Sequence, residues 1–180
     1  FETSRFAIKP STSSGVRITS FMKRLRNWAA SNASRGGTEI NRFRIGNGGQ
    51  LSFEDAYHLK SNDYYSSRNY ASRLIGSQLI VYSPLYLPYG VETLDWLPGL
   101  RKWSGNPRAG FTRIVSAREI YVPRQLLESE DADVDALHTV TTCDLAAPVL
   151  RCRGVSVLGP SGRTFYVSGN AVYVWATVNH

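Results

Sequence analysis

The sequence predicts an all-β protein of four-stranded antiparallel meanders, preceded by one amphipathic helix. Three observations predict it. Short runs rich in Val, Ile, Thr and Tyr recur over residues 38–83 and 139–177, each bounded by Gly, Pro, Asn or Ser. Ten Tyr, seven Phe and four Trp supply the aromatic enrichment that suits a pleated, half-buried surface. Strong helical spacing of apolar residues occurs in one place only.

Residues 1–17 are Ser/Thr-rich with weak periodicity and read as an extended lead-in or linker with little order. From Ile18 the apolar residues Ile18, Phe21, Met22, Leu25, Trp28 and Ala29 fall on one helical face. Thr19 or Ser20 can cap its start, and Asn32 to Gly37 supply the stop, so residues 18–37 read as the helix and its exit loop. Lys23, Arg24 and Arg26 lie off the apolar face. That pattern suits a membrane surface or an acidic partner, and equally a helix on a sheet edge with its charges in water.

The first β group comprises Thr38 to Ile45, Leu51 to Lys60, Tyr70 to Ile75 and Gln78 to Ser83, with turns at GNGG (46–49) and Gly76-Ser77. The second comprises Thr139 to Leu145, Leu150 to Leu158, Arg163 to Ser168 and Ala171 to Thr177, with turns at AAPV, GPSG and GN. Each group is expected to form one four-run meander. LIGSQLIVY (74–82) aligns with VSGNAVYVW (167–175) so that Gly76 and Gly169 coincide in a tight turn, an offset of 93 residues. Propeller blades repeat at roughly 40 to 50 residues, so the offset suits two blade periods; a sandwich of two meanders gives the same local signals.

YSSRNYASRLIGSQLIVYSP, HTVTTCDL and VLGPSGRTFYVSGNAVYVW together resemble the secreted bacterial and archaeal proteins with a C-terminal β-propeller domain, over roughly residues 38–180. Ser72-Arg73 with Leu79 to Tyr82, and Tyr166-Val167-Ser168 with Val172-Tyr173-Val174, stand where that family has recurring strand and hairpin motifs. The chain is short for a whole propeller, and Pro84 to Gly110 has no plain blade pattern and reads as an irregular aromatic insertion. The resemblance implies export, a scaffold of two to three blades without an assigned reaction, no cofactor, and as partner a protein, a glycan or the remaining blades.

Cys143 and Cys152 are the only cysteines and flank AAPV. If that hairpin pairs Leu145 with Leu150, Cys143 faces Cys152, and directly opposed residues lie about 4.5 to 5.5 Å apart at Cα, inside disulfide range. The same register sets Asp144 opposite Arg151 and Val140 opposite Val155. A disulfide would fit an oxidising compartment, a secreted or cell-envelope protein; two reduced, buried thiols would fit the cytosol. His138 alone cannot complete a zinc site with two thiols.

No stretch approaches the roughly 18 to 20 apolar residues of a membrane helix. The chain begins at Phe1 without an initiator Met or a signal-peptide pattern, so the native N-terminus is expected upstream or removed. The net charge of +7 is uneven: residues 1–75 hold 12 basic and 5 acidic side chains, residues 76–180 nine of each. The basic third can attract nucleic acid or another polyanion through Lys23, Arg24 and Arg26, or simply be solvated.

Hydrolytic chemistry needs a nucleophile beside a positioned base. GPSG lacks G-x-S-x-G spacing and reads as a hairpin turn, while His58, His138 and His180 have no spacing linking them to a carboxylate. A hydrolase would therefore need chain beyond this sequence to complete its site. Asp131, Asp133 and Asp135 alternate as calcium ligands can, but no Gly follows to make the sharp turn, and a solvated acidic loop explains them as well. Tyr86, Tyr89, Trp96 and Trp103 interleave with Arg101, Lys102 and Arg108, a pattern suited to stacking and anion contacts. The competing reading is a short LDWLPGL helix that buries Trp96, Leu97, Leu100 and Trp103.

Overall fold

The computed structural model describes residues 3–8, 37–61, 71–87, 93–106, 108–128, 134–168 and 171–177. The predicted helix, with Lys23, Arg24 and Arg26, lies outside the described residues. Twelve strands are described: β1 (Thr3–Ile8), β2 (Gly37–Ile45), β3 (Leu51–Lys60), β4 (Ala71–Ile75), β5 (Gln78–Tyr86), β6 (Gly99–Lys102), β7 (Thr112–Arg113), β8 (Ile120–Tyr121), β9 (Ala136–Asp144), β10 (Arg151–Gly159), β11 (Arg163–Val167) and β12 (Val172–Thr177). One short helix, α1 (Arg124–Glu128), carries an Arg124–Glu128 ion pair one turn apart.

The strands form three sheets, ordered β2-β3-β6-β7, β4-β5-β9-β10-β8 and β1-β12-β11. Every pairing is antiparallel except β8 with β10. Side-chain alternation explains how the five-stranded sheet is covered on both faces. Val81, Leu79 and Cys143 point one way and pack with Ile40, Tyr57, Leu59 and Leu100 of the four-stranded sheet. Tyr82, Ile80 and Val140 point the other way and pack with Val172, Val174 and Phe165 of the three-stranded sheet. The Tyr82 and Phe165 rings lie 4.6 Å apart between centroids. A third apolar cluster, Leu85, Leu87, Leu97, Leu137 and Leu158, fills the end beneath residues 93–98. Each fully buried Leu or Tyr side chain contributes about 1.5–3 kcal/mol through its removal from water.

The turns predicted at GNGG and Gly76-Ser77 form. Gly49 has φ 79° and Gly76 φ 59°, left-handed values that a side chain resists. Gly76-Ser77 is a two-residue loop, since Ile75 pairs with Gln78.

Each predicted four-run group is divided, so neither is one meander. β2-β3 and β4-β5 belong to different sheets, and ten residues (61–70) separate them, too many for the tight turn that makes consecutive strands neighbours. β9-β10 and β11-β12 are divided likewise. GPSG is therefore no hairpin turn but the crossing from the central sheet to the three-stranded sheet, held where the Pro160 carbonyl accepts from His138 Nε2 at 2.9 Å. No closed barrel or propeller occurs among the described residues.

Three further expectations need correction. Thr3–Ile8, read as part of a loose lead-in, is a strand, with Phe6 opposite Val174 on β12. The supposedly irregular stretch 84–110 is partly sheet: β5 runs through Pro84 to Tyr86, and β6 pairs with β3. Pro84 is tolerated because the β4 ladder stops at Ala71 opposite Tyr82, leaving β5 only β9 as a neighbour there among the described residues. LDWLPGL is not a helix, for only a turn from Leu94 to Leu97 precedes β6. Leu97 and Leu100 are buried as that reading required, but Trp103 is 43% exposed.

Candidate functional site

The four-stranded sheet presents two faces of different chemistry, both organised by the β2-β3 hairpin. Ile40 and Arg42 share its inner face, as do Asp55, Tyr57 and Leu59 across the ladder. Arg42 stands opposite Asp55 and grips it with two donors, Nε to Oδ1 at 2.6 Å and Nη2 to Oδ2 at 2.8 Å. Its remaining donors reach the carbonyls of Ala147 and Pro148 at 2.9 and 3.0 Å, in the AAPV loop between β9 and β10. The Tyr57 hydroxyl donates to Asp55 at 3.1 Å and accepts the Leu150 amide at 3.2 Å, while Lys102 Nζ lies 3.3 Å from Asp55. These bonds hold the Asp55 carboxyl at about 2, Arg42 contributing most and burial opposing.

Beyond Arg42 the register shifts: Phe43 pairs with Phe53 and Ile45 with Leu51, which leaves Glu54 as an extra residue in β3. Arg42 and Phe43 are neighbours on β2 and so point to opposite faces. The outer face of the hairpin tip consequently carries Phe43, Ile45, Leu51 and Phe53, exposed by 52, 72, 67 and 59%. The rings of Phe43 and Phe53 meet edge to face at 5.7 Å. The opposite side of the tip carries the Arg44–Glu54 ion pair. The sequence alternation signals a strand here, but a bulge decides which face is apolar.

At the other end of the outer face, Arg101 Nη2 lies 2.8 Å from His58 Nδ1 and Nη1 donates to the Ala109 carbonyl at 3.0 Å. Because guanidinium only donates, His58 Nδ1 is the acceptor, and Nε2 faces Glu39 at 3.6 Å. Trp103 lies over His58 at 5.4 Å. Phe111 meets two cations, Arg101 at 4.6 Å and Lys60 at 4.9 Å from its centroid. Lys60 also donates to the Asp95 carbonyl, and burial pulls its pKa down while the charge of Asp95 opposes this.

The residues proposed from sequence for ligand contact thus separate. Arg101 and Trp103 come together, joined by His58, Lys60 and Phe111, which the linear pattern did not single out. Lys102 turns to the inner face and Asp55. Trp96 packs on the cluster around Leu85, Tyr86 ends β5 in the central sheet, and Tyr89 lies outside the described residues. Cross-strand register, invisible in the linear pattern, is what assembled the observed group.

Cys143 and Cys152 form the disulfide, directly opposed with Cα atoms 4.1 Å apart, and Asp144–Arg151 and Val140–Val155 pair as the sequence register required. Among the described residues no helix is long and apolar enough to cross a membrane. His138 is buried between layers, its Nδ1 3.0 Å from the Tyr82 hydroxyl. Of the three acidic calcium candidates only Asp135 is described; Asp131 and Asp133 lie outside the described residues. No group of three His, Cys, Asp or Glu able to hold a metal occurs among the described residues. No protein-family model, curated protein or solved structure matches the chain.

Proposed function

We propose that this chain is a non-catalytic binding and structural module of an exported, propeller-like protein, and that a neighbouring protein surface covers its β2-β3 hairpin. The observation that carries the reading is the apolar face of Phe43, Ile45, Leu51 and Phe53, more than half exposed at every position. Contiguous apolar surface with a polar reverse side is characteristic of protein interaction sites. The Cys143–Cys152 disulfide supports export, since such bonds persist in oxidising compartments. The propeller element rests on the sequence likeness of the two Gly-turn segments, each of which is a hairpin, while the hairpins themselves belong to different sheets.

Hydroxyl-radical footprinting of the purified chain against the protein in native extracts tests the reading. Phe43 and Phe53 oxidised in the purified chain but protected in the native assembly is the expected result. Equal oxidation in both would remove the interaction surface from consideration. Alkylation of native material tests export separately: both cysteines should resist alkylation until reduced, and free thiols would overturn the compartment.

A further inference from the structure

The uncovered end of the central sheet carries a second surface of quite different chemistry. Register places Arg73 opposite Ile80, Ile80 opposite Thr142 and Thr142 opposite Arg153, one row across β4, β5, β9 and β10. The next row is Ile75, Gln78, Asp144 and Arg151. Both rows share the face that carries Tyr82 and Val140; Ile80 in the first row borders the cluster with Phe165, Val172 and Val174, and the arginines stand outside that cluster. Arg73, Thr142, Arg151 and Arg153 are exposed. Among the described residues none of the three arginines has an acidic partner. Asp144, the acid in these rows, makes no ion pair with Arg151 although it stands opposite, and its Oδ1 accepts the Ala146 amide at 3.0 Å.

We infer that Arg73, Arg151 and Arg153 form a binding site for an acidic polysaccharide lying across the strands. Three strand spacings separate the backbone positions of Arg73 and Arg153, about 14 Å, a span that a chain with repeating carboxylate or sulfate groups can bridge. Guanidinium forks match such groups with paired hydrogen bonds, and the strand register sets the spacing of the three backbone positions from which they project. Thr142 and Gln78 between them supply neutral partners for hydroxyl groups. The charge of the ligand follows from the excess of three arginines over one committed carboxylate. The choice of polysaccharide over nucleic acid rests on the export reading above.

Heparin binding by the full chain, measured across a salt series, tests the site. The wild type should bind heparin, bind neutral dextran not at all, and weaken steadily as salt rises. The triple variant R73Q/R151Q/R153Q should lose about tenfold or more in affinity, whereas R108Q/R113Q/R118Q, which removes the same charge elsewhere, should stay within about twofold. Urea midpoints of both variants matching the wild type separate lost binding from lost folding. Equal losses in the two triples, no heparin binding by the wild type, or loss on neutralising Lys23, Arg24 and Arg26 instead would each overturn the assignment. Tighter binding of single-stranded DNA through the same three arginines would replace polysaccharide by nucleic acid. None of these outcomes bears on the thiol or footprinting results, so the two readings fail separately.

Discussion

Arg42 and Asp55 face one another on β2 and β3 with side chains only 9 and 8% exposed, and the same guanidinium continues to two carbonyls of the loop between β9 and β10. One side chain therefore joins two sheets. The disulfide closes the same β9-β10 hairpin a residue behind the opposed Asp144 and Arg151, so the loop is fixed by a covalent bond and by the Arg42 hydrogen bonds at once.

Removing one partner of a buried pair strands the other charge. Arg42→Met is expected to cost about 3 kcal/mol or more, read as a fall in urea midpoint, because Lys102 alone cannot satisfy Asp55. Arg44→Ala breaks a pair whose arginine is 74% exposed and should cost no more than about 0.5 kcal/mol. Equal losses would show that Arg42 does not act as an interlock.

The Asp55 carboxyl titrates at about 2 in the folded protein against an ordinary 3.8. The unfolded chain takes up the proton first as pH falls, so the stabilisation is complete only well above 3.8 and is lost as pH drops through 3.8 to about 2. Urea midpoints measured from pH 5 to 2 should fall more steeply in the wild type than in Asp55→Asn. Parallel curves would place the acid sensitivity in other groups.

Replacing both cysteines by Ala releases a short loop in the unfolded chain, the cysteines being nine positions apart. Chain entropy then predicts a loss of about 2–3 kcal/mol. Strand pairing around the site should survive, because the ladder from Arg151–Asp144 to Gly159–Ala136 does not depend on the sulfurs. Hydrogen exchange along β9 and β10 checks the second point.

Gly154 sits where β10 passes Val115. An added Cβ would lie 2.5 Å from Val115 Cγ2, and Val115 is 1% exposed. Gly154→Ala should destabilise by about 1–3 kcal/mol, with Gly110→Ala, which meets nothing within 4 Å, as the comparison. Thermal unfolding of the two variants distinguishes them.

Thr141 is fully buried, and its hydroxyl has no hydrogen-bond partner among the described residues. Thr141→Val keeps the shape and removes the unsatisfied group, so stability should rise by about 1 kcal/mol. A fall in urea midpoint would mean that a buried water satisfies the hydroxyl.

Strand positions and the β9-β10 register were legible because each depends on neighbours in sequence: alternation, turn residues and the charge match of Asp144 with Arg151. The functional surfaces were less so. Arg101 and Trp103 stood out as a cation beside an aromatic ring, but His58, which binds the one and lies against the other, is 43 positions before Arg101. Arg73 and Arg153 share a row only because β5 and β9 lie between them.

By itself the sequence determined the β class, the hairpins and the Cys143–Cys152 bond, all consequences of period-two patterning and of turns a few residues long. Tertiary structure alone decided how the hairpins were shared among three sheets, since local pattern is the same whichever sheet a hairpin joins. It also decided that LDWLPGL leads into a strand: Leu100 is buried either way, and the open edge of β3, with Leu59 opposite Leu100, supplied the backbone partners that a short helix would have had to find within itself.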